Sequence, residues 1–142
     1  MGTHLFLDDD PQRHMVFSKG LDPTHEATMV WTFDEAWQAL RTTVFDVVHL
    51  DHDLNDFHVQ SVEPGMYGGR KLTGLDVVLC LVELPEHRRP KHVIVHSWNI
   101  EGGARMVEEL QKAGISVERK EFGEYSITLA ESYGLWLPEK KP

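Results

Sequence analysis

The sequence predicts a three-layer, doubly wound α/β domain built on a five-stranded, mostly parallel sheet. Strand-like and helix-like patterns alternate along the chain, which is typical of a sheet with helices on both faces. The length of 142 residues fits one domain with its own core, so residues 1–142 are predicted to form a single domain. Titratable residues follow the carboxyl ends of the predicted strands, where ligand sites of open α/β sheets lie.

Nine segments carry the alternating patterns. The predicted strands are THLFL (3–7), EATMVW (26–31), VFDVVHL (44–50), KHVIVHS (91–97) and ISVERK (115–120). The predicted helices are PQRHMVFSKG (11–20), TFDEAWQALRTT (32–43), LDVVLCLVELP (75–85) and GGARMVEELQKAG (102–114). One helix therefore follows each of the first four strands, as parallel strand pairing requires.

Local signals support the helices. Pro11 lies in the first turn of the first one, and Gly20 lies at its end. In the second, Thr32 is followed three residues later by Glu35, which is a capping box, and the apolar residues have the helical period. The third is apolar at nearly every position, so its pattern also fits a strand. Its length and its stop at Pro85 favour a buried helix.

Composition and charge narrow the class of protein. No apolar run approaches the roughly 20 residues that cross a bilayer, and MGTHLFLDDD has no features of a secretory signal. Cys80 alone cannot form an internal disulfide, so we expect a cytoplasmic protein. The net charge of −9 repels phosphate backbones and argues against non-specific binding of duplex nucleic acid. A small anionic ligand remains compatible if a metal or local cations neutralise it.

Four predicted strands end in polar side chains. These are Asp8, Asp9 and Asp10 after the first, His49, Asp51, His52 and Asp53 at the third, His96 and Ser97 at the fourth, and Lys120 at the fifth. Because the carboxyl ends of parallel strands meet at one edge of a sheet, these side chains are expected to form one site.

The same segments resemble the receiver domain, which is the phosphoacceptor fold of bacterial response regulators. LFLDDDP is similar to the first strand and acidic pair of the family, FDVVHLDHDL to the strand that carries the phosphoacceptor, and TGLDVV to the start of the third helix. VIVHSW places Ser97 where the family has Ser or Thr, and SVERKEF places Lys120 near its lysine. The resemblance covers roughly residues 3 to 122. It implies a receiver/flavodoxin-like sheet in the order 2-1-3-4-5.

Other features depart from an ordinary receiver. The chain between Asp51 and Gly74 is far longer, which indicates an insertion at about residues 55–72 directly above the site. His49, His52 and His96 are foreign to signalling receivers. These departures resemble a divergent branch, the cyclic-phosphate-processing receiver-like domains. That branch is predicted to act on cyclic phosphate ends, so the resemblance implies a phosphoesterase more than a switch.

The acidic residues predict a metal site. Asp8, Asp9 and Asp51 cannot all stay ionised close together without a cation, and their hard oxygen ligands suit Mg²⁺ or Mn²⁺. The resemblance implies that Asp8 and Asp9 are the magnesium-binding carboxylates and that Asp51 is the phosphoacceptor. Asp10 is expected to cap the first helix instead of binding the metal.

Several residues are candidates for catalysis. Asp51 could attack phosphorus directly, or it could hold the metal while an activated water attacks. Asp53 follows at the spacing of aspartate-based phosphatases and is either an acid/base or a turn residue. A phosphoesterase must protonate an alkoxide leaving group, and histidine suits that role near neutral pH. His52 and His96 are the histidines we select for it.

Cationic and polar residues are candidates for holding the substrate. Ser97 and the start of the following helix could bind phosphate oxygens, and Lys120 would neutralise the phosphoryl group. Arg70 and Lys71 could belong to a lid that holds the substrate, or the insertion could be a disordered surface loop. His49 shares a strand face with Asp51 and is a further candidate for substrate contact. We expect the remaining histidines to lie at the surface or at strand edges, and these are His4, His14, His25, His58, His87 and His92. The role of His58 stays open, because it lies in the insertion.

Three functions stay open on sequence grounds. The first is a Mg²⁺- or Mn²⁺-dependent phosphoesterase for a small phosphorylated or cyclic-phosphate ligand, which could be the end of a nucleotide or an RNA. The second is a phosphoaccepting response regulator, in which Asp51 reacts but cyclic phosphates are not turned over. The third is a phosphate- or nucleotide-binding module without catalysis. The histidines and the insertion favour the first.

Overall fold

The computed structural model describes residues 2–54, 72–97 and 99–120 and shows a five-stranded parallel sheet in the order β2-β1-β3-β4-β5. The strands are β1 (Thr3–Leu7), β2 (Glu26–Val30), β3 (Val47–Leu50), β4 (His92–Val95) and β5 (Val117–Arg119). The helices are α1 (Pro11–Gly20), α2 (Phe33–Thr42), α3 (Gly74–Leu81) and α4 (Ile100–Lys112). The predicted fold class and strand order are therefore confirmed. Residues 55–71 of the insertion predicted at about residues 55–72 lie outside the described residues.

Helix starts follow their capping residues. Thr32 and Glu35 form the predicted capping box of α2, and the Asp10 side chain accepts a hydrogen bond from the Gln12 amide at the start of α1. Asp10 is thus the expected cap. Helix α4 begins two residues before the predicted Gly102, because the Asn99 side chain caps it by accepting from the Gly102 amide.

Most predicted segments are longer than the elements that they form, and the third strand and the third helix are two examples. The third predicted strand began at Val44, but the side chain of Val44 is 46% exposed and regular pairing begins only at Val47. The third helix ends at Leu81, short of the predicted stop at Pro85. No helix within the described ranges is both long enough and apolar enough to cross a membrane.

Two apolar clusters lie on opposite faces of the sheet. The larger joins alternate residues of the central strands, such as Leu5, Val48 and Val93, to α2, α3 and α4. The smaller contains Phe6 of β1 and Phe17 of α1. Successive side chains of a strand point to opposite faces of the sheet, so the side chain two positions after Phe6 lies on the α1 side as well. This places the carboxylate at position 8 beside α1.

Buried histidines form part of the α1 side, contrary to our expectation of a surface position for His4 and His14. The rings of His4 and His49 are hydrogen-bonded at 2.8 Å (Nδ1 to Nε2), and Nε2 of His4 lies 3.1 Å from Nδ1 of His25. Burial and the neighbouring His25 lower the pKa of His4 to about 4. Burial and His4 hold the pKa of His49 well below its usual value. The rings are therefore neutral at neutral pH.

We expect the free energy of unfolding of the metal-free protein to fall as the pH is lowered from about 6.5 to about 4. Unfolded histidine titrates near 6.5, whereas the folded pKa of His4 is about 4. The unfolded state binds more protons between these values, so acid favours unfolding. His4 alone would contribute roughly 3 kcal/mol over this window.

Urea unfolding at several pH values measures this effect. His4→Gln should show a shallower dependence on pH than the wild type, and His87→Gln, which changes an exposed histidine, should match the wild type. An unchanged slope in His4→Gln would show that the buried histidines do not control acid stability.

Candidate functional site

Three carboxylates meet at the carboxyl edge of the sheet. Asp8 and Asp9 follow β1, and Asp51 follows β3, which pairs with β1. One oxygen of each lies within 4.8 Å of an oxygen of the other two, and all three residues are buried. The predicted gathering of these residues is thus observed.

Asp8 is held by several contacts. Its Oδ1 accepts a hydrogen bond from the Asp10 amide at 2.9 Å, and its Oδ2 lies 2.9 Å from Nε2 of His96. Its main-chain oxygen lies 2.7 Å from Nε2 of His14. Burial alone would raise the pKa of Asp8, but the hydrogen bond from His96 and the charge of Arg13 outweigh it, and the pKa lies below its usual value. Asp8 is therefore ionised and fixed in orientation.

Asp51 is in a different electrostatic state. Its Oδ1 accepts from the His52 amide at 2.9 Å. Burial and the charge of Asp8 raise the pKa of Asp51 to about 8, although Arg13 opposes the shift. An ionised carboxylate at this position therefore needs more positive charge than the protein supplies.

A divalent cation fits this donor set. Asp8, Asp9 and Asp51 offer hard carboxylate oxygens, which suit Mg²⁺ and Mn²⁺ and not soft metals. The raised pKa of Asp51 shows where additional positive charge would be stabilising. These three residues are the ones that could hold the ion, and receiver domains bind Mg²⁺ in such an acidic pocket.

Arg13 of α1 is the residue of this site that the sequence analysis missed. Its Nη1 lies 3.3 Å from Oδ2 of Asp8 and 3.5 Å from Oδ2 of Asp51, and its Nε lies 3.8 Å from Oδ2 of Asp10. Burial opposes its charge, but Asp8 and Asp51 outweigh that, and the pKa of the guanidinium is raised. The sequence gives one indication that Arg13 belongs to this site. Arg13 lies in the first turn of a helix that begins just after Asp8 and Asp9.

His52 and Asp53 form a hydrogen-bonded pair beside Asp51. Nδ1 of His52 lies 2.8 Å from Oδ1 of Asp53, which also accepts from the Asn99 side-chain amide at 3.2 Å. The His52 ring lies against Gly102 at the start of α4, where a Cβ would be 2.5 Å from the ring carbon Cδ2. Asp53 thereby orients the imidazole through Nδ1 and leaves Nε2 for proton exchange.

His96 and Ser97 lie at the edge as predicted, but both are fully buried. His96 donates to Asp8 and stacks on the Phe6 ring, with ring centroids 5.1 Å apart. It therefore positions a carboxylate of the acidic cluster, and the structure does not give it the substrate contact that a general acid needs. The hydroxyl of Ser97 accepts from the Asn99 amide at 3.0 Å and shapes the loop before α4.

His49 and Lys120 are not brought to the acidic cluster. His49 lies deep on the α1 side, with its ring against those of His4 and Phe17, so the predicted contact with substrate does not match its position. The Lys120 amide pairs with β4 at the edge, but its Nζ lies 3.6 Å from Oε2 of Glu118. The predicted roles of Arg70 and Lys71 fall on residues outside those that the structure describes.

Gly74 connects α3 to the site. Its amide donates to the main-chain oxygen of His52 at 2.8 Å. A Cβ at this position would lie only 1.9 Å from the main-chain oxygen of Asp51. Helix α3 can therefore approach the loop that contains Asp51 this closely only because residue 74 lacks a side chain.

Fold and site together define a receiver domain of the response-regulator type. The profile described as the cyclic-phosphate processing receiver domain matches residues 3–112. The chain therefore belongs to the cyclic-phosphate processing receiver domain family. A search of curated proteins found no match.

Solved receiver domains share the fold. A receiver domain from Methylobacillus flagellatus is 19% identical, with a TM-score of 0.62, and the alignment covers 92% of this chain and 98% of that one. The receiver domain of a putative Luxo repressor protein from Vibrio parahaemolyticus is 18% identical, with a TM-score of 0.65 and coverage of 94% and 88%. The response regulator domain of Thermotoga maritima CheB is 18% identical, with a TM-score of 0.61 and coverage of 93% and 92%. At these identities the likeness concerns the fold.

Proposed function

We propose that this receiver domain is a Mg²⁺- or Mn²⁺-dependent phosphoesterase that opens a cyclic phosphate, such as one on the end of a nucleotide or an RNA. The observation that carries the proposal is the pairing of His52 with Asp53 next to Asp51. A signalling switch needs a long-lived acyl phosphate and has no use for a proton donor. A phosphoesterase needs one, because its leaving group is an alkoxide.

The residues divide the chemistry between them. Asp8, Asp9 and Asp51 would hold the cation, which supplies positive charge to the phosphoryl oxygens when bound. The nucleophile, which is either Asp51 or a water molecule, forms a bond to phosphorus while one P–O bond of the ring breaks. His52 in its protonated form donates its Nδ1 proton to Asp53 in a hydrogen bond and transfers its Nε2 proton to the departing oxygen. Water is the final acceptor on either route: its oxygen bonds to phosphorus, the proton that it loses returns to Nε2 of His52, and any P–O bond to Asp51 breaks to release the carboxylate. The product is a phosphate monoester.

The substrate class follows from charge and from the family. The chain carries a net charge of −9, so a long polyanion would be repelled and a small phosphate or a chain end is favoured. The family to which the chain belongs is named for the processing of cyclic phosphates. A cyclic diester presents one phosphoryl group and one alkoxide leaving group, which matches one cation site beside one proton donor.

We expect His52→Ala to lower the rate of cyclic-phosphate opening by about 100-fold or more, which is the usual contribution of a general acid. Gly102→Ala should also lower the rate of cyclic-phosphate opening, because the new methyl group would lie 2.5 Å from the His52 ring. Phosphorus NMR with Mg²⁺ or Mn²⁺ measures the conversion. His87→Ala is the control, since His87 is exposed and far along the chain from the site.

A signalling switch is the second candidate, and it is favoured by the same buried acceptor and acidic pair. It predicts that beryllofluoride or acetyl phosphate modifies Asp51 and that no cyclic phosphate is converted. Full activity in His52→Ala would contradict the role of His52, and capture at Asp51 without any turnover would favour the switch over the enzyme.

A further inference from the structure

Within the described part of the chain, the positively charged side chain that contacts Asp8 and Asp51 is Arg13 of α1. Nη1 of Arg13 is within 3.5 Å of both Asp8 and Asp51. Lys120, which is expected from the sequence to neutralise the phosphoryl group, is paired with Glu118. Among the residues that the structure describes, no other lysine or arginine forms an ion pair with Asp8 or Asp51.

The Arg13 guanidinium and a bound divalent cation would contact the same two carboxylates. Arg13 contacts Oδ2 of Asp8 and Oδ2 of Asp51, and both carboxylates belong to the set of oxygens that could hold an ion. Like charges repel strongly at such short range in a partly buried site. Entry of the ion therefore favours rotation of the Arg13 head away from these oxygens.

The Arg13 side chain can adopt another conformation. The Arg13 side chain is 26% exposed, and its stem contains several rotatable bonds. A guanidinium stays charged at any physiological pH and presents a planar set of donors that matches phosphate oxygens. If the Arg13 guanidinium moved toward the opening of the site, it would contact the non-bridging oxygens of a bound phosphoryl group.

We propose that Arg13 is the phosphate-binding cation of this site and takes the place of Lys120. In the metal-free protein it serves as a tethered counter-ion for Asp8 and Asp51. Once the metal is bound, it contacts the phosphoryl group of the ligand. This role rests on the proposed function, because it assumes that a phosphoryl group enters the site.

Two binding measurements test the role without relying on turnover. Titration with Mn²⁺ alone, followed by electron paramagnetic resonance, should show roughly threefold to tenfold tighter binding in Arg13→Gln than in the wild type, because a competing charge is gone. Equilibrium dialysis of the Mn²⁺-loaded protein with radiolabelled inorganic phosphate should show binding that is weaker by about tenfold or more in Arg13→Gln.

Two control variants complete the design. Lys120→Gln should change phosphate affinity by less than about threefold. Arg105→Gln removes the same charge at an exposed position of α4, where Arg105 pairs with Glu109, and it should behave like Lys120→Gln. Thermal melts identify any variant that does not fold.

The outcomes separate this inference from the proposed function. If phosphate affinity is lost in Lys120→Gln and kept in Arg13→Gln, the inference is wrong. It is equally wrong if Arg13→Gln binds Mn²⁺ no more tightly and phosphate no more weakly than Arg105→Gln does. Loss of phosphate affinity in Arg13→Gln together with an absence of cyclic-phosphate turnover would support the phosphate-binding role and reject the enzyme.

Discussion

Asp51→Asn is expected to abolish turnover and at the same time to stabilise the metal-free protein. Activity should fall at least about a thousandfold, because the variant removes either the nucleophile or a ligand of the cation. Stability should rise in chelator at alkaline pH, since burial and the charge of Asp8 raise the pKa of Asp51 to about 8. Ionisation of Asp51 in the folded state is thus unfavourable.

The sign of the pH dependence follows from this pKa. The folded state binds more protons than the unfolded state between pH about 4 and about 8, so stability due to this group is lost as the pH rises through that window. We expect Asp51→Asn to exceed the wild type by on the order of 2 kcal/mol or more above pH about 8. Urea unfolding in chelator measures the difference.

Addition of Mg²⁺ provides the matched comparison for Asp51→Asn. The wild type should gain stability, because the ion binds only to the folded state, and Asp51→Asn should gain much less. A variant that is less stable than the wild type in chelator at alkaline pH would contradict the electrostatic description of the site.

Gly74→Ala is expected to have the largest effect on folding. Alanine is the better helix former, so propensity alone predicts a small gain. The added Cβ would lie 1.9 Å from the main-chain oxygen of Asp51, and neither backbone can move without separating α3 from the site. We therefore expect a loss of at least about 3 kcal/mol in the free energy of unfolding, together with weaker metal binding.

Gly2→Ala is the control for this substitution. A Cβ at position 2 meets its nearest neighbour at an ordinary 3.4 Å, so its stability should match the wild type. Chemical unfolding and Mn²⁺ titration of both variants provide the measurements. Wild-type stability in Gly74→Ala would show that α3 does not approach the Asp51 loop as closely as described.

The sheet and its acidic edge were predictable because both depend on local patterns. Strand and helix periods define the elements, and strand ends that carry Asp8 and Asp51 must meet once the strands are parallel. The capping role of Asp10 was predictable for the same reason, since a cap depends on the next few residues alone.

The positions of the basic residues depended on tertiary contacts that the sequence does not display. Lys120 pairs with Glu118, its neighbour on the same strand face, whereas Arg13 reaches across from a helix to two strands. His4 was expected near the surface, but a partner ring 45 positions away satisfies one of its nitrogens and permits its burial. Such pairings become visible only when the strands are placed side by side.

We propose that the site around Asp51 opens cyclic phosphates with the help of a divalent cation. Phosphorus NMR of the wild-type protein with cyclic nucleotides and cyclic-phosphate-ended RNA, first in chelator and then with Mg²⁺ or Mn²⁺, tests it most directly. We expect conversion of at least one substrate to a monoester when either metal is present and none in chelator. An unchanged spectrum for every substrate with both metals would contradict it.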